Sequence, residues 1–154
     1  MAEPVFVPKP GQVDYTHIRY LPVMNCLVFN AGKLLLVQRS DDMRTWPGIW
    51  HCIGGYLDDD KTIEDKALEE LWEEAGISTE RVTSMQRFAP ILREDNAHGK
   101  TLFTVPVRAD IVGYEYTLNW ESQAAIWIDP AEVGQYNLLP GFAKIVADVV
   151  SGRN

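Results

Sequence analysis

Glu70, Glu73 and Glu74 stand at spacings i, i+3 and i+4, so on a helix their carboxylates share one side. Three carboxylates that close repel one another, which costs stability unless a cation sits among them. All-oxygen donors of this kind suit a hard divalent ion, Mg2+ or Mn2+.

The stretch that must position them is a glycine turn at Gly54-Gly55, an acidic loop through Asp58-Asp59-Asp60, and a helix expected over Ile63 to Ala75. Thr62 and Asp65 have capping-box spacing just ahead of the apolar-periodic run, and Gly76 stands where a left-handed C-terminal cap belongs. At about 100° per residue Ile63, Ala67, Leu71 and Ala75 form one stripe, which Leu68 and Trp72 are expected to widen. The carboxylates fall beside that stripe.

This stretch resembles the Nudix box, G-x5-E-x7-R-E-U-x-E-E-x-G-U, with U a bulky aliphatic residue. Gly55, Glu70, Leu71, Glu73, Glu74, Gly76 and Ile77 fit it; Lys61 stands where the family has glutamate, and Glu69 where it has arginine. Those two residues are expected to pair in the family, tying the loop to the helix. Here both signs are reversed, which predicts an exchanged Lys61–Glu69 ion pair, the alternative being that both positions drifted. Lysine lacks the bidentate fork of arginine, so the exchanged pair is the looser one.

The resemblance implies further site residues. Glu70, Glu73, Glu74 and the Gly54 carbonyl would hold the Mg2+ or Mn2+. Glu121, six residues before Trp127, is similar to the glutamate of the family's E-H-x-x-x-x-W run, with Ser122 in place of the histidine. It would be a further ligand or the general base, a role that Glu70 and Glu73 also compete for. Arg39, ending the second strand, would offer a cation to substrate phosphate, and Asn137 would touch a nucleobase. Each has a plainer reading as a strand end, surface residue or turn residue.

A chain of 154 residues is about one domain by length, with 46% hydrophobic and 23% charged residues, as in a globular fold. The net charge of −8 argues against a nucleic acid polymer or an anionic membrane as partner, since both need basic surface. A phosphorylated small molecule bound through metal fits the acidic balance better, and a homodimer stays open. Cys26 and Cys52 show no metal-ligand spacing and read as buried free thiols. No apolar run approaches a membrane span and the N-terminus lacks signal-peptide regions, so a cytoplasmic protein is expected.

Along the rest of the chain, residues 1–17, with Pro4, Pro8 and Pro10, are expected to run extended along the surface, either partly mobile or supplying an edge strand around Val5 to Val7. Strands are expected over Arg19 to Phe29, Leu34 to Arg39 (after a hairpin turn), His51 to Ile53, Val82 to Leu92 with a break near Pro90, and Thr101 to Val112. Trp46 and Trp50 read as core or loop-anchoring residues rather than stacking platforms. Pro140 reads as a helix start, and Phe142, Ile145, Val146, Val149 and Val150 as the packed face, stopped by Gly152. The pattern is an α+β chain, and the resemblance implies a Nudix-type α/β/α sandwich, a mixed β-sheet between helices, as a single domain over residues 1–154. The implied activity is metal-dependent hydrolysis of a phosphoanhydride in a nucleoside diphosphate derivative or related small molecule. Two alternatives stay open: a non-catalytic nucleotide- or partner-binding module, and an enzyme like isopentenyl-diphosphate isomerase.

Overall fold

The computed structural model describes residues 7, 10 and 13–152. In chain order the elements are β1 (Tyr20–Asn30), β2 (Lys33–Arg39), β3 (Trp50–His51), β4 (Ile53–Tyr56), α1 (Ile63–Ala75), β5 (Val82–Arg87), β6 (Ile91–Asp95), β7 (Lys100–Ile111), β8 (Ser122–Ile128) and α2 (Phe142–Ser151). The strands form one mixed sheet along the path β3-β2-β1-β7-β5, with β4 on β1, β6 on β7 and β8 on β2. Among the described strands only β1 and β7 run parallel to each other, in register from Tyr20 with Thr101 to Phe29 with Asp110. The β1–β2 hairpin pairs only at its turn, Phe29 with Leu34 and Asn30 with Lys33. Beyond it, β4 takes over the edge of β1 from Val23 to Cys26, and β2 turns to β8 and β3.

Alternation along β1 divides the core between the two faces of the sheet. Met24, Cys26 and Val28 pack with Leu35, Val37, Ile53 and Val107 beneath Ala67, Leu71 and Ala75 of α1. Leu27 and Phe29 pack with Leu34, Leu36, Cys52, Phe88 and Ile128 beneath Phe142, Ile145, Val146 and Val149 of α2. The sheet is thus the middle layer between two helices.

α1 has the expected bounds and caps. The Thr62 hydroxyl accepts from the Asp65 N–H at 3.1 Å, and Gly76 takes the left-handed conformation at φ 62° with its N–H on the carbonyls of the last turn. Trp72 departs from expectation: it is 62% exposed. The narrow row Ala67, Leu71, Ala75 lies flat on the sheet, and Trp72, about 100° round from Leu71, falls past its edge.

Other differences are local. The strand expected over His51 to Ile53 splits at Cys52, because His51 pairs with Val37 of β2 while Ile53 pairs with Cys26 of β1. The break near Pro90 separates β5 from β6. α2 starts at Phe142 behind Gly141 (φ 86°), so Pro140 lies just outside the helix. Of the edge strand expected around Val5 to Val7, only Val7 is among the described residues, and it is exposed outside any strand. Among the described residues no helix is long and apolar enough to cross a membrane.

Candidate functional site

The acidic side of α1 lies beside β4, and glycine makes the close approach of the two possible. A Cβ built on Gly55 would sit 2.7 Å from Glu70 Oε1, and one on Gly54 would sit 2.7 Å from the Met24 carbonyl oxygen. Glu74, only 7% exposed, turns inward, and its Oε2 accepts from the Gly54 N–H at 3.1 Å. Glu69, Glu70 and Glu73 each offer a carboxylate oxygen, all within 4.8 Å of one another. The cluster therefore differs from the one expected from spacing: Glu69 joins Glu70 and Glu73, while Glu74 lies outside it, turned in towards the Gly54 N–H.

Burial sets the electrostatics of this face. It pushes the Glu70 carboxyl up to about 7; the Lys66 ammonium opposes this, and the charges of Glu73 and Glu121 add to it. Burial likewise raises the Glu74 carboxyl well above the usual carboxylate range, with Glu121 and Glu70 adding to the shift. Glu121, half-buried just ahead of β8, therefore belongs to the same electrostatic group although it comes from another element. Its position is held by the Ser40 N–H, which donates to its carbonyl at 2.8 Å, and by its own N–H, which donates to Asn119 Oδ1 at 3.0 Å.

Lys61 and Glu69 do form the exchanged pair, Nζ to Oε2 at 3.1 Å, and Lys61 also meets Asp59 at 3.1 Å. A second lysine, which spacing alone had not brought forward, reaches the same cluster. Lys66 Nζ lies 3.3 Å from Asp59, 3.7 Å from Glu69 and 3.6 Å from Glu70. Glu69→Arg is expected to weaken Mn2+ binding by setting a third cation beside Lys61 and Lys66, Lys61→Glu to weaken it by releasing the loop from the helix, and the double exchange to restore much of both losses. A double-mutant cycle on Mn2+ affinity measures that coupling, and additive losses would count against it.

Arg39 sits at a β-bulge, where the register of β2 on β8 shifts between Gln38 and Arg39. Bulges of this kind re-aim side chains beside functional sites. Arg39 Nε donates to the Thr45 carbonyl at 2.9 Å and Nη2 to Thr45 Oγ1 at 3.2 Å, and the charges of Glu121 and Glu74 act on it. Trp46 anchors the 40–49 loop, its Nε1 donating to Asp95 of β6 at 2.8 Å. Asn137 is exposed, and its carbonyl accepts from the Trp50 N–H at 2.9 Å.

Arg93 of β6 is a further basic residue of the region. Its Nε and Nη1 are buried without a hydrogen-bond partner, and its Cδ passes 2.9 Å from where a Cβ on Gly141 would be. Buried donors left unpaired are rare and costly in folded proteins. Two surface depressions, about 290 Å3 by Phe88 to Ile91 and about 380 Å3 between Asp129 to Val133 and α2, contain none of the carboxylates above.

His51, on the same face as Val37, is held neutral. Burial, then the charges of Arg39 and Arg93, pull its imidazole down to about 3 from an ordinary 6.5. The unfolded chain therefore binds a proton between those values that the folded chain does not, and stability rises with pH across that window. Acidification from pH 6.5 is expected to destabilise the wild type more steeply than His51→Gln. Unfolding midpoints measured from pH 4 to 7 read the difference, and parallel profiles would refute it.

Residues 19–149 match the family model described as the NUDIX domain. The Nucleoside triphosphatase NudI of Escherichia fergusonii is 30% identical over 122 residues, covering 73% of this chain and 84% of that protein. The Isopentenyl-diphosphate Delta-isomerase of Saccharopolyspora erythraea is 36% identical over 61 residues, covering 38% of this chain and 31% of that protein. In fold, the MutT protein of Methanosarcina mazei Go1 superposes with a TM-score of 0.76 at 21% identity, over 90% of this chain and 99% of that one.

Proposed function

The chain belongs to the NUDIX domain family, and from that premise we propose that it is a metal-dependent hydrolase of a phosphoanhydride bond in a nucleoside diphosphate derivative or related small molecule. One observation carries the reading: side-chain oxygens of Glu69, Glu70 and Glu73 converge within 4.8 Å on a helix face pressed against a glycine turn. The donor set fits a hard divalent ion, since every candidate ligand is an oxygen and the ligands are carboxylates. Glu70, Glu73 and Glu74, with the Gly54 carbonyl, would hold it.

Bound there, Mg2+ or Mn2+ supplies a Lewis acid for the phosphoryl oxygens and a lower pKa for attacking water. The chain's own residues do the rest. Glu70, Glu73 or Glu121 takes the proton from that water. Arg39, on which the charges of Glu121 and Glu74 act, offers a guanidinium to a substrate phosphate. Asn137, exposed at the loop before α2, offers an amide to a base edge.

The isomerase-like alternative needs a reactive thiol, and Cys52 is a poor one. It is 1% exposed, and burial raises its thiol well above the ordinary value. A panel of nucleoside diphosphate derivatives and nucleoside triphosphates, assayed for phosphate and nucleotide release with Mg2+ and Mn2+, tests the proposal. Release from one class, abolished by chelator, is expected. Binding without turnover across the panel would replace the hydrolase by the binding module.

A further inference from the structure

Lys66 is 7% exposed, and its ammonium touches three carboxylates. It reaches them from inside the helix that carries two of them, three residues before Glu69 and four before Glu70. Both oxygens of Glu69 are engaged, Oε2 by Lys61 at 3.1 Å and Oε1 by Lys66 at 3.7 Å. Glu70 Oε1 lies 3.6 Å from Lys66 Nζ, and the same atom lies 2.7 Å from where a Cβ on Gly55 would stand. The carboxylate is thus flanked by the glycine turn and by the lysine.

We propose that the Lys66 ammonium is a built-in counter-cation of the acidic helix, which keeps Glu69 and Glu70 together in the metal-free protein and lowers the affinity of the cluster for a divalent ion. The inference rests on the reading of that cluster as a metal site. Carboxylates packed this closely need positive charge among them, and Lys66 provides it from within the chain. A divalent ion arriving at Glu70 and Glu73 then meets a field already partly neutralised, and it is repelled by an ammonium a few ångströms away. Lys66 is a positioning residue: it acts on the ion only through charge and through the carboxylates it holds.

At an effective dielectric intermediate between protein and water, one unit charge that close changes the affinity for a divalent ion by about tenfold or more. Lys66→Met removes the charge and keeps the apolar stem; Lys66→Arg keeps the charge. Mn2+ titration followed by water-proton relaxation is expected to show tighter binding by Lys66→Met, about tenfold, and near wild-type binding by Lys66→Arg. Without metal, Lys66→Met is expected to melt at lower temperature than wild type, and added Mn2+ to restore more stability to it than to wild type. Equal or weaker Mn2+ binding by Lys66→Met overturns the proposal and leaves the metal site standing. No Mn2+ binding by wild type or either variant removes the metal reading and this inference with it. The wild type gives a readout that survives a poorly folding variant, the 15N resonance of the lysine ammonium, assigned through Lys66→Arg. A slowly exchanging Lys66 signal that shifts on saturation with Mg2+ supports the proposal, and one that exchanges freely or ignores Mg2+ overturns it.

Discussion

Glu74→Gln is expected to lose most of the Mg2+-dependent turnover while leaving the metal-free fold at least as stable as wild type. Glu74 is 7% exposed, and its carboxylate accepts from the Gly54 N–H. Glutamine keeps that acceptor and the side-chain volume. It removes a buried charge that Glu121 and Glu70 oppose. What it cannot do is bind a divalent ion as a carboxylate does, and losing transition-state stabilisation of that size costs on the order of a hundredfold in kcat. The stability arm has a definite sign with pH. The folded carboxyl titrates above its ordinary 4.5, so the folded chain retains a proton that the unfolded chain releases. That contribution is present below the unfolded pKa and fades as pH rises. The midpoint difference should therefore grow in favour of Glu74→Gln on going from pH 4.5 towards neutrality. Steady-state kinetics and calorimetry on one preparation test both arms. Unimpaired turnover would remove Glu74 from the metal site, and a large fall in midpoint would make it a structural residue.

The two glycines of the turn are expected to separate fold from function. At Gly54 an added Cβ meets backbone, the Met24 carbonyl oxygen at 2.7 Å, in the middle of the β1–β4 pairing. Neither strand can give without breaking register, so Gly54→Ala should cost about 1–3 kcal/mol or more of stability, as overpacking does elsewhere. At Gly55 the first atoms met belong to the Glu70 side chain, Oε1 at 2.7 Å and Cδ at 2.9 Å. A side chain swings aside more easily than a strand. Gly55→Ala should keep its denaturation midpoint near wild type and displace the carboxylate, with turnover and Mn2+ affinity falling together. Denaturant unfolding and Mn2+ titration of both variants decide the matter; equal stability losses would mean that the turn is merely tight.

Much of this site was legible because it is local. The caps of α1 are written in Thr62, Asp65 and Gly76, and the carboxylate spacing needs nothing beyond the helical period. The reversed charges at Lys61 and Glu69 announced their own pairing. Lys66 has an equally plain spacing to Glu69 and Glu70, but spacing does not say that its ammonium stays on that side of the helix and meets Asp59 of the loop as well. Arg93 was not legible at all. Its significance depends on which face of β6 turns inward and on Gly141 arriving from a distant part of the chain. Trp72 shows the limit of periodicity, which gives the direction of a stripe more securely than its width. The strand partners were the least legible, since nothing in a strand's own residues says that β1 pairs with β7 and parts from β2 after one turn.

That parallel pairing has a consequence for how the chain reaches this structure. Tyr20 must find Thr101, and no hairpin can bring them together, so the central pair closes a loop containing β2, β3, β4, α1, β5 and β6. Closure of that size must be paid in chain entropy before the pairing returns anything, which places folding among the slower, non-local topologies. During synthesis β1 emerges long before β7, with Leu27, Val28 and Phe29 unable to reach the strand that will pair with them. α1 can form early, since its caps and its period are its own. The acidic cluster is therefore partly assembled on a nascent helix, and Gly54 and Gly55 come to rest against it once β4 has settled on β1.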